Sequence, residues 1–425
     1  MNEHFFVPCP RGLEAACAAE LAELGITAPK EVPGGVSYQA PFDSIYRVNL
    51  WSRIASRVLW RVADGQYRTE EDIYQLARGV RWEQHFNAVQ TLRVDLTATR
   101  SPLTSLKFTT LRVKDAICDH LRELTGIRPS VDKTQPDIRV YVYVDAERVM
   151  LYLDTSGEAL FKRGYRTGKV DAPIRENLAA GILRLTGWQP NQPLVDPMCG
   201  SGTFLIEAAR IALGLPPGIK RRYGFERLKR FDAGAWDAVR QAPLNAPTDA
   251  PTDAPTDAPT DAPTDAPTDA PTGAPTGAPT GAPTGAPNPA PQIFGSDLSQ
   301  QSLSIAIQHF HAAGVASVIR TRQGDLRNLP APCVVKAGET GVMVANPPYG
   351  ERIGTPVELD AFYPELGHAL KAHYAGWNCF FITGDRTMEK RIRLKASRRT
   401  PLMNGDLDCR LYEFRMVSGS NRPAT

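Results

Sequence analysis

Asn346-Pro347-Pro348-Tyr349 closes an apolar run that begins at Gly341. Two consecutive prolines cannot continue a strand, because each ring fixes φ and removes a donor. They set a rigid turn that holds the Asn346 side chain and the Pro347 carbonyl in place. Both groups can accept hydrogen bonds from a single amino group, and Tyr349 offers a flat face on which a planar base can stack. A second stretch, LVDPMCGSGTFLIEAA from Leu194 to Ala209, reads as a buried strand ending at Asp196, a turn through Gly200-Ser201-Gly202 and a helix entered at Thr203. Glycine has no Cβ and accepts positive φ, so this backbone can come close to a ligand. In an open α/β sheet such a strand end is where cofactors sit.

By itself the glycine turn leaves its ligand open. It lacks the third glycine of G-x-G-x-x-G and the Gly-Lys-Ser/Thr of a P-loop, which lowers NAD and ATP as candidates. Pairing with a second strand that runs into Asn-Pro-Pro-Tyr narrows the reading. One strand and helix beyond the turn, Gln292-Ile293-Phe294-Gly295-Ser296-Asp297 ends in an acid whose carboxylate can accept both ribose hydroxyls of an adenosyl cofactor. Cys199 lies in the turn without a base beside it in sequence, so it reads as a small side chain rather than a nucleophile.

DPMCGSGTFLIEAA and NPPYGERIG together resemble the class I S-adenosylmethionine-dependent methyltransferases that act on exocyclic amino groups. In particular they resemble the bacterial THUMP-domain RNA guanine-N2 methyltransferases, which modify 23S ribosomal RNA. The resemblance implies a Rossmann-like class I methyltransferase domain that uses S-adenosylmethionine (SAM). Asp196, Met198, Cys199, Gly200, Gly202, Thr203, Asp297 and Asp325 would bind the cofactor, with Asp196 toward the methionine end and Asp325 near the adenine amino group. Asn346, Pro347, Pro348 and Tyr349 would form the catalytic set. The lone pair of an aryl amine is delocalised into its ring. Accepting both N–H bonds on Asn346 Oδ1 and the Pro347 carbonyl would favour a pyramidal nitrogen and stabilise charge as it forms. Tyr349 would clamp a base swung out of its helix.

Cytosine-C5 and uracil-C5 enzymes need a thiolate, and this turn has no cysteine. DNA adenine and protein-glutamine methyltransferases share the Asn-Pro-Pro-Tyr turn, and a transfer RNA guanine is a further alternative to the ribosomal substrate. A non-catalytic RNA-binding protein would show damaged motifs, and none is damaged. What argues against DNA and protein substrates is upstream: KFTTLRVKDAICD followed by IRPSVDKTQPDIRVYVYV resembles the THUMP domain, which grips structured RNA. Lys107, Arg112 and Lys114 are its matching basic positions. Lys162, Arg163 and Arg166 flank Tyr165 in the passage to the catalytic domain, a basic and aromatic mix that suits a nucleic-acid backbone. The basic runs at Lys220 to Arg230 and Arg386 to Arg399 are further candidate RNA surfaces.

The elements that must position these groups fall into three units. The chain of 425 residues is too long for one ordinary core. Residues 1–66 alternate strand-like and helical runs and are expected to form a ferredoxin-like α+β module. Residues 67–155 are expected to be the THUMP domain, and 156–420 the methyltransferase domain. In the THUMP unit the expected helices lie at Glu71 to Arg78 and Thr110 to Leu124, and a further helix opens at Pro173 ahead of the glycine turn. Ten tandem tetrapeptides, six APTD and four APTG, occupy 246–285. A proline every four residues forbids helix and sheet, so a disordered, polyproline-like insertion is expected there. Its six aspartates, without a basic residue, mean that the formal net charge of +3 conceals a more basic remainder, as an RNA partner requires.

Seven scattered cysteines without a C-x-x-C pair indicate neither disulfides nor a metal site. No apolar run is long enough for a membrane span, and the start carries no signal-peptide pattern, so a cytoplasmic protein acting on ribosomal RNA or an assembling large subunit is expected. Some members of the family carry a second methyltransferase domain after this one; with Thr425 as its last residue, this chain is expected to have one activity.

Overall fold

A computed structural model describes residues 2–166, 174–242, 291–336, 338–347 and 356–417, with the backbone alone at 356–359. The repeat at 246–285 lies outside the described residues.

The first half of the chain runs β1 (Glu3–Pro8), α1 (Glu14–Glu23), β2 (Lys30–Val32), β3 (Gly35–Ala40), α2 (Ser44–Trp51), β4 (Leu59–Gln66), α3 (Glu70–Gly79), β5 (Leu92–Ala98), α4 (Leu106–Thr125), β6 (Ile138–Val144) and β7 (Arg148–Asp154). These strands form one sheet in the order β2-β3-β1-β4-β7-β6-β5. The two units expected over 1–66 and 67–155 therefore share a sheet, and β4 joins them: Trp60 is paired with Phe5 on one side and with Leu153 on the other. Strict alternation makes β6 a half-covered strand, with Ile138, Val140, Val142 and Val144 buried while Arg139, Tyr141 and Tyr143 stay partly exposed. Helix α4 begins one turn earlier than the apolar pattern predicts. Ser105 caps it, its Oγ accepting from the Phe108 N–H at 3.2 Å, so Leu106 to Thr109 join the helix.

The second half runs α5 (Glu176–Thr186), β8 (Leu194–Asp196), α6 (Thr203–Ala212), α7 (Ala233–Gln241), β9 (Ile293–Asp297), α8 (Gln300–Ala313), β10 (Ile319–Gln323), β11 (Gly341–Ala345), α9 (Pro356–His373), β12 (Trp377–Thr383), α10 (Met388–Ile392), β13 (Arg398–Asn404) and β14 (Leu407–Arg415). The sheet order is β10-β9-β8-β11-β12-β14-β13; β10 through β12 are parallel and β14 is antiparallel. Every residue of β11 is buried, as a parallel strand covered on both faces requires. The strand order reverses between β8 and β11, which opens a crevice at their carboxyl ends. Helix α5 starts at Glu176 rather than at Pro173; residues 167–173 lie outside the described residues.

The halves are bolted together by close packing. A Cβ on Gly181 of α5 would stand 2.2 Å from Leu13 Cδ1, so a larger residue at that crossing would have to displace the Leu13 side chain. Tyr46 of α2 packs edge-on against Phe225 at 4.9 Å and beside Trp236 of α7 at 5.9 Å.

The Lys220 to Arg230 run joins the same interface. Arg221 donates to the Ala159 and Glu158 carbonyls, Arg227 pairs with Asp137, and Arg230 pairs with Glu3 at 2.5 Å and lies over Phe42. Within that run Arg221, Arg227, Lys229 and Arg230 already have carbonyl or carboxylate partners, whereas Lys220 and Arg222 stand exposed.

Candidate active site

The site is built on three adjacent strand ends. Asp196, the last residue of β8, is level with Gly295 of β9, and Val195 is level with Met343 of β11. Asp297 and Asn346 therefore each lie about two residues beyond the level of Asp196, on opposite flanking strands about 4.8 Å away. Local sequence sets these ends: apolar runs make the strands, and an acid, a glycine turn and a proline pair stop them.

Gly200 (φ 52) and Gly202 (φ 80) both adopt the left-handed conformation. Nothing lies within 4 Å of where a Gly200 Cβ would point, whereas a Gly202 Cβ would stand 2.4 Å from Phe310 Cε1 of α8. One glycine keeps the crevice open and the other lets α6 approach α8. Asp297 fastens the turn: its Oδ2 accepts from the Gly200 N–H at 2.8 Å and its Oδ1 from the Ser299 N–H at 2.9 Å. Each carboxylate oxygen keeps a further lone pair, so the residue remains able to accept hydroxyls. Thr203 opens α6, and His309 of α8 meets the Ser201 carbonyl at 3.1 Å.

Asp196 is 2% exposed, and its Oδ1 accepts from the Met198 N–H at 3.2 Å. Burial, and then the neighbouring Asp297 charge, holds its carboxyl well above the usual range. A raised carboxyl pKa favours the folded state at low pH, and that contribution is lost as pH rises through the folded value. At neutral pH Asp196→Asn is therefore expected to raise the melting temperature of the ligand-free protein by a few degrees, on the order of 3 °C. The difference should vanish toward the ordinary carboxyl value of 3.8, and cofactor affinity should drop. Thermal unfolding across pH 4 to 8 checks this; a variant less stable than the native chain at pH 7 would contradict it. Met198 is half-buried, and its side chain packs against the core that includes Met343 and Phe381. The Cys199 thiol is buried and pushed well above its ordinary pKa by burial, Asp196 and Asp297, which suits packing and not attack.

Asp325 already has a partner close in sequence. Arg327, two residues on, encloses its carboxylate: Oδ1 accepts from the Arg327 backbone N–H at 2.9 Å and from Nε at 3.0 Å, and Oδ2 from Nη2 at 2.5 Å. This holds the carboxyl below its ordinary value. An adenine amino group would have to share an acceptor already occupied by a guanidinium, which Glu365 also holds at 2.6 Å.

Asn346 follows β11 directly, and Pro347 is buried behind it. Asn346 Oδ1 is buried and has no hydrogen-bond partner among the described residues. A buried amide oxygen without a partner costs about 1–3 kcal/mol, an expense that a donor from a bound ligand would remove. Pro348 and Tyr349 lie outside the described residues.

The basic positions divide. Lys107 is exposed near the start of α4, beside the exposed Phe108 and Leu111. Arg112 pairs with Glu71 and lies 4.0 Å from the centre of the Tyr74 ring; Lys114 pairs with Asp115; Lys162 pairs with Glu158 at 2.8 Å. All four stand at or near the surface. Arg163 does not: it is buried, donates to the Leu160 carbonyl at 2.7 Å and the Arg53 carbonyl at 2.6 Å, and faces Glu207 of α6 at 3.5 Å. Its donors are turned inward, away from any phosphate.

Arg163→Met is expected to lower folding stability by about 3 kcal/mol, because Glu207 loses a buried partner, and to leave RNA affinity unchanged. Denaturant unfolding and RNA titration check both; lost RNA affinity at native stability would contradict it. Arg166 is likewise drawn inward, to the glycine turn. Its donors go to Glu176, Ile174, Ser201 and Thr203. Basic and aromatic composition around Tyr165 could not reveal this, since the acceptors lie in later elements. The Asp325–Arg327 pair, two residues apart, was open to reading.

Comparison with known proteins agrees with this geometry. Residues 163–413 match the RMKL-like methyltransferase domain, 67–154 the THUMP domain and 4–59 the RlmL ferredoxin-like domain. Ribosomal RNA large subunit methyltransferase K/L of Photobacterium profundum is 35% identical over 421 residues, covering 99% of this chain and 54% of that protein. Its counterpart in Syntrophotalea carbinolica is 36% identical over 416 residues, covering 96% and 53%. The chain thus spans about half the length of these curated relatives.

Among solved structures, SMU.472 complexed with SAH superposes with a TM-score of 0.79 at 27% identity, covering 99% of both chains. A predicted N6-adenine-specific DNA methylase from Listeria monocytogenes superposes with a TM-score of 0.78 at 27% identity, covering 97% of this chain and 96% of that one. With ferredoxin-like and THUMP units ahead of a class I sheet, and with the match at 163–413, the chain belongs to the RMKL-like methyltransferase domain family.

Proposed function

We propose that this chain transfers a methyl group from SAM to the exocyclic N2 amino group of a guanine in structured RNA, with 23S ribosomal RNA as the substrate. The observation that carries the reading is the buried Oδ1 of Asn346 at the end of β11, across the crevice from the glycine turn and without a partner among the described residues. An amino group is the complementary ligand for it, and the Pro347 carbonyl would accept the second N–H. The open space at Gly200 and the spare lone pairs of Asp297 fit an adenosyl cofactor, with Asp196, Met198, Cys199, Gly202 and Thr203 forming the rest of the cradle.

When bound, SAM supplies an activated methyl group. The chain's own residues then fix the amine, aim its lone pair and exclude water. Pro348 and Tyr349 would complete the catalytic turn, Tyr349 stacking on the base. The names of the curated relatives support the ribosomal substrate and, with it, a cytoplasmic protein meeting an assembling large subunit. We further propose that 1–66, 67–155 and 156–420 are the working units. Lys107, Arg112, Lys114 and Lys162 would meet phosphates. No described helix is long and apolar enough to cross a membrane.

A second reading, N6-methylation of adenine in DNA, is favoured by the description of the Listeria structure. Offering radiolabelled SAM with undermodified ribosomal RNA, transfer RNA and DNA in parallel, then digesting the product, separates the two. N2-methylguanosine from ribosomal RNA is expected. Label in adenine of DNA would replace the substrate while keeping the turn chemistry.

A further inference from the structure

The glycine turn has no large side chain of its own to hold it, and two of its residues take left-handed φ values. It is fastened from outside at three places. Asp297 of β9 holds the Gly200 N–H, and His309 of α8 holds the Ser201 carbonyl. The third fastening comes from Arg166, outside the sheet. Its Nε donates to Glu176 Oε1 at 2.6 Å, and its Nη2 to the Ile174 carbonyl at 2.9 Å and to Thr203 Oγ1 at 3.1 Å. Nη1 stands 3.5 Å from Ser201 Oγ.

Glu176 opens α5 and its side chain is 5% exposed, so its carboxylate has few other partners to choose. One planar guanidinium thus spans the head of α5, the turn and the first residue of α6. An ammonium, a point donor on a flexible stem, cannot bridge these acceptors in the same plane. The segment that delivers Arg166 is anchored in the first half of the chain. Leu160 N–H donates to the Ser56 carbonyl at 2.9 Å, and Arg163 reaches the Arg53 carbonyl.

We propose that Arg166 is a positioning residue for the cofactor: by tying Ser201 and Thr203 to Glu176 it holds the glycine turn in the shape that binds SAM, and it makes no contact with RNA. The inference rests on the reading of that turn as the SAM site. Losing a charge-assisted bridge of this kind corresponds to about a tenfold change in affinity.

The test measures SAH binding by calorimetry on the full chain, together with steady-state kinetics and RNA titration, for the native protein, Arg166→Met, Arg166→Lys and Glu176→Gln. Thermal unfolding sets a temperature at which each is folded. Arg166→Met is expected to weaken SAH binding and raise KM for SAM about tenfold. Its kcat at saturating SAM and its RNA affinity should stay within about twofold of native values, as expected for lost binding that is uniform across ground and transition states. Glu176→Gln should follow it in direction, and Arg166→Lys should recover only part of the loss.

Native SAH affinity in Arg166→Met, or a loss that falls on RNA affinity instead, would overturn the inference and leave the reading of the turn standing. If Arg166→Met does not fold, Arg166→Lys decides: full native affinity with lysine overturns the bridging role. Failure of the native chain to bind SAH would overturn the reading of the turn and this inference with it.

Discussion

Asn346→Ala is expected to lower methyl transfer by about 100- to 1,000-fold while SAH and RNA affinities stay within about twofold, the range found when one preorganised hydrogen-bonding group is removed from a reaction centre. The physical reason lies in where the oxygen is. Asn346 Oδ1 is buried, at the end of a strand whose every residue is buried, and it has no partner among the described residues. An acceptor held in that way costs nothing further to organise when a substrate amine arrives, so its effect falls on the reacting nitrogen. Asn346→Asp keeps an acceptor at the same place and adds a charge; it is expected to retain more activity than the alanine variant. Single-turnover methyl transfer with bound RNA reads the chemical step directly. Activity in Asn346→Ala within about threefold of native would remove Asn346 from the catalytic set, and a parallel loss of RNA affinity would turn it into a binding group.

Gly202→Ala is expected to destabilise the protein by about 2–4 kcal/mol and to abolish measurable SAH binding, since two penalties combine. A Cβ at this position would meet Phe310 Cε1 at 2.4 Å, Cζ at 2.9 Å and Ala306 Cβ at 3.3 Å, and φ is +80. The obstacle is a ring packed in α8 rather than the end of a flexible chain, so the start of α6 must shift.

Gly200→Ala makes the contrast. Its φ of +52 lies in the left-handed region that alanine reaches at about 1 kcal/mol. The new Cβ would point into open space. A small stability change with a large loss of SAH affinity is expected there, because that space is where the cofactor would lie. Phe310→Leu combined with Gly202→Ala should recover part of the steric loss but none of the backbone strain. Denaturant unfolding and SAH calorimetry on the four proteins check the pattern; equal stability losses at both glycines would show that backbone strain alone operates.

The candidate site of this protein was legible because its signals are local. A strand that stops at Asp196, a turn that needs Gly200 and Gly202, a helix that starts at Thr203 and a strand stopped by Pro347 each depend on a few consecutive residues, and the structure reproduces those boundaries. The Ser105 cap of α4 was local too, although apolar periodicity alone started that helix one turn late. The pairing of Asp325 with Arg327 is equally short in range.

Charge was the signal that misled. Arg163, Arg166, Arg221, Arg227 and Arg230 look in sequence like a solvated, phosphate-seeking surface. Their partners Glu207, Glu176, the Ala159 carbonyl, Asp137 and Glu3 lie in other segments: Arg163 is buried with its partner, while Arg227 and Arg230 pair at the surface. A guanidinium has the same sequence signature whether it faces water or a carboxylate more than 200 positions away, as Arg230 and Glu3 are. The sharing of one sheet by the two N-terminal units had the same character, since it depends on β4 finding partners on both edges. The sequence by itself determined the strand ends, the turns and the acceptors they present, because backbone sterics and apolar periodicity act over a few residues. Only the tertiary structure decided which charges lie at the surface and which hold the glycine turn, because that choice depends on contacts between segments far apart in the chain.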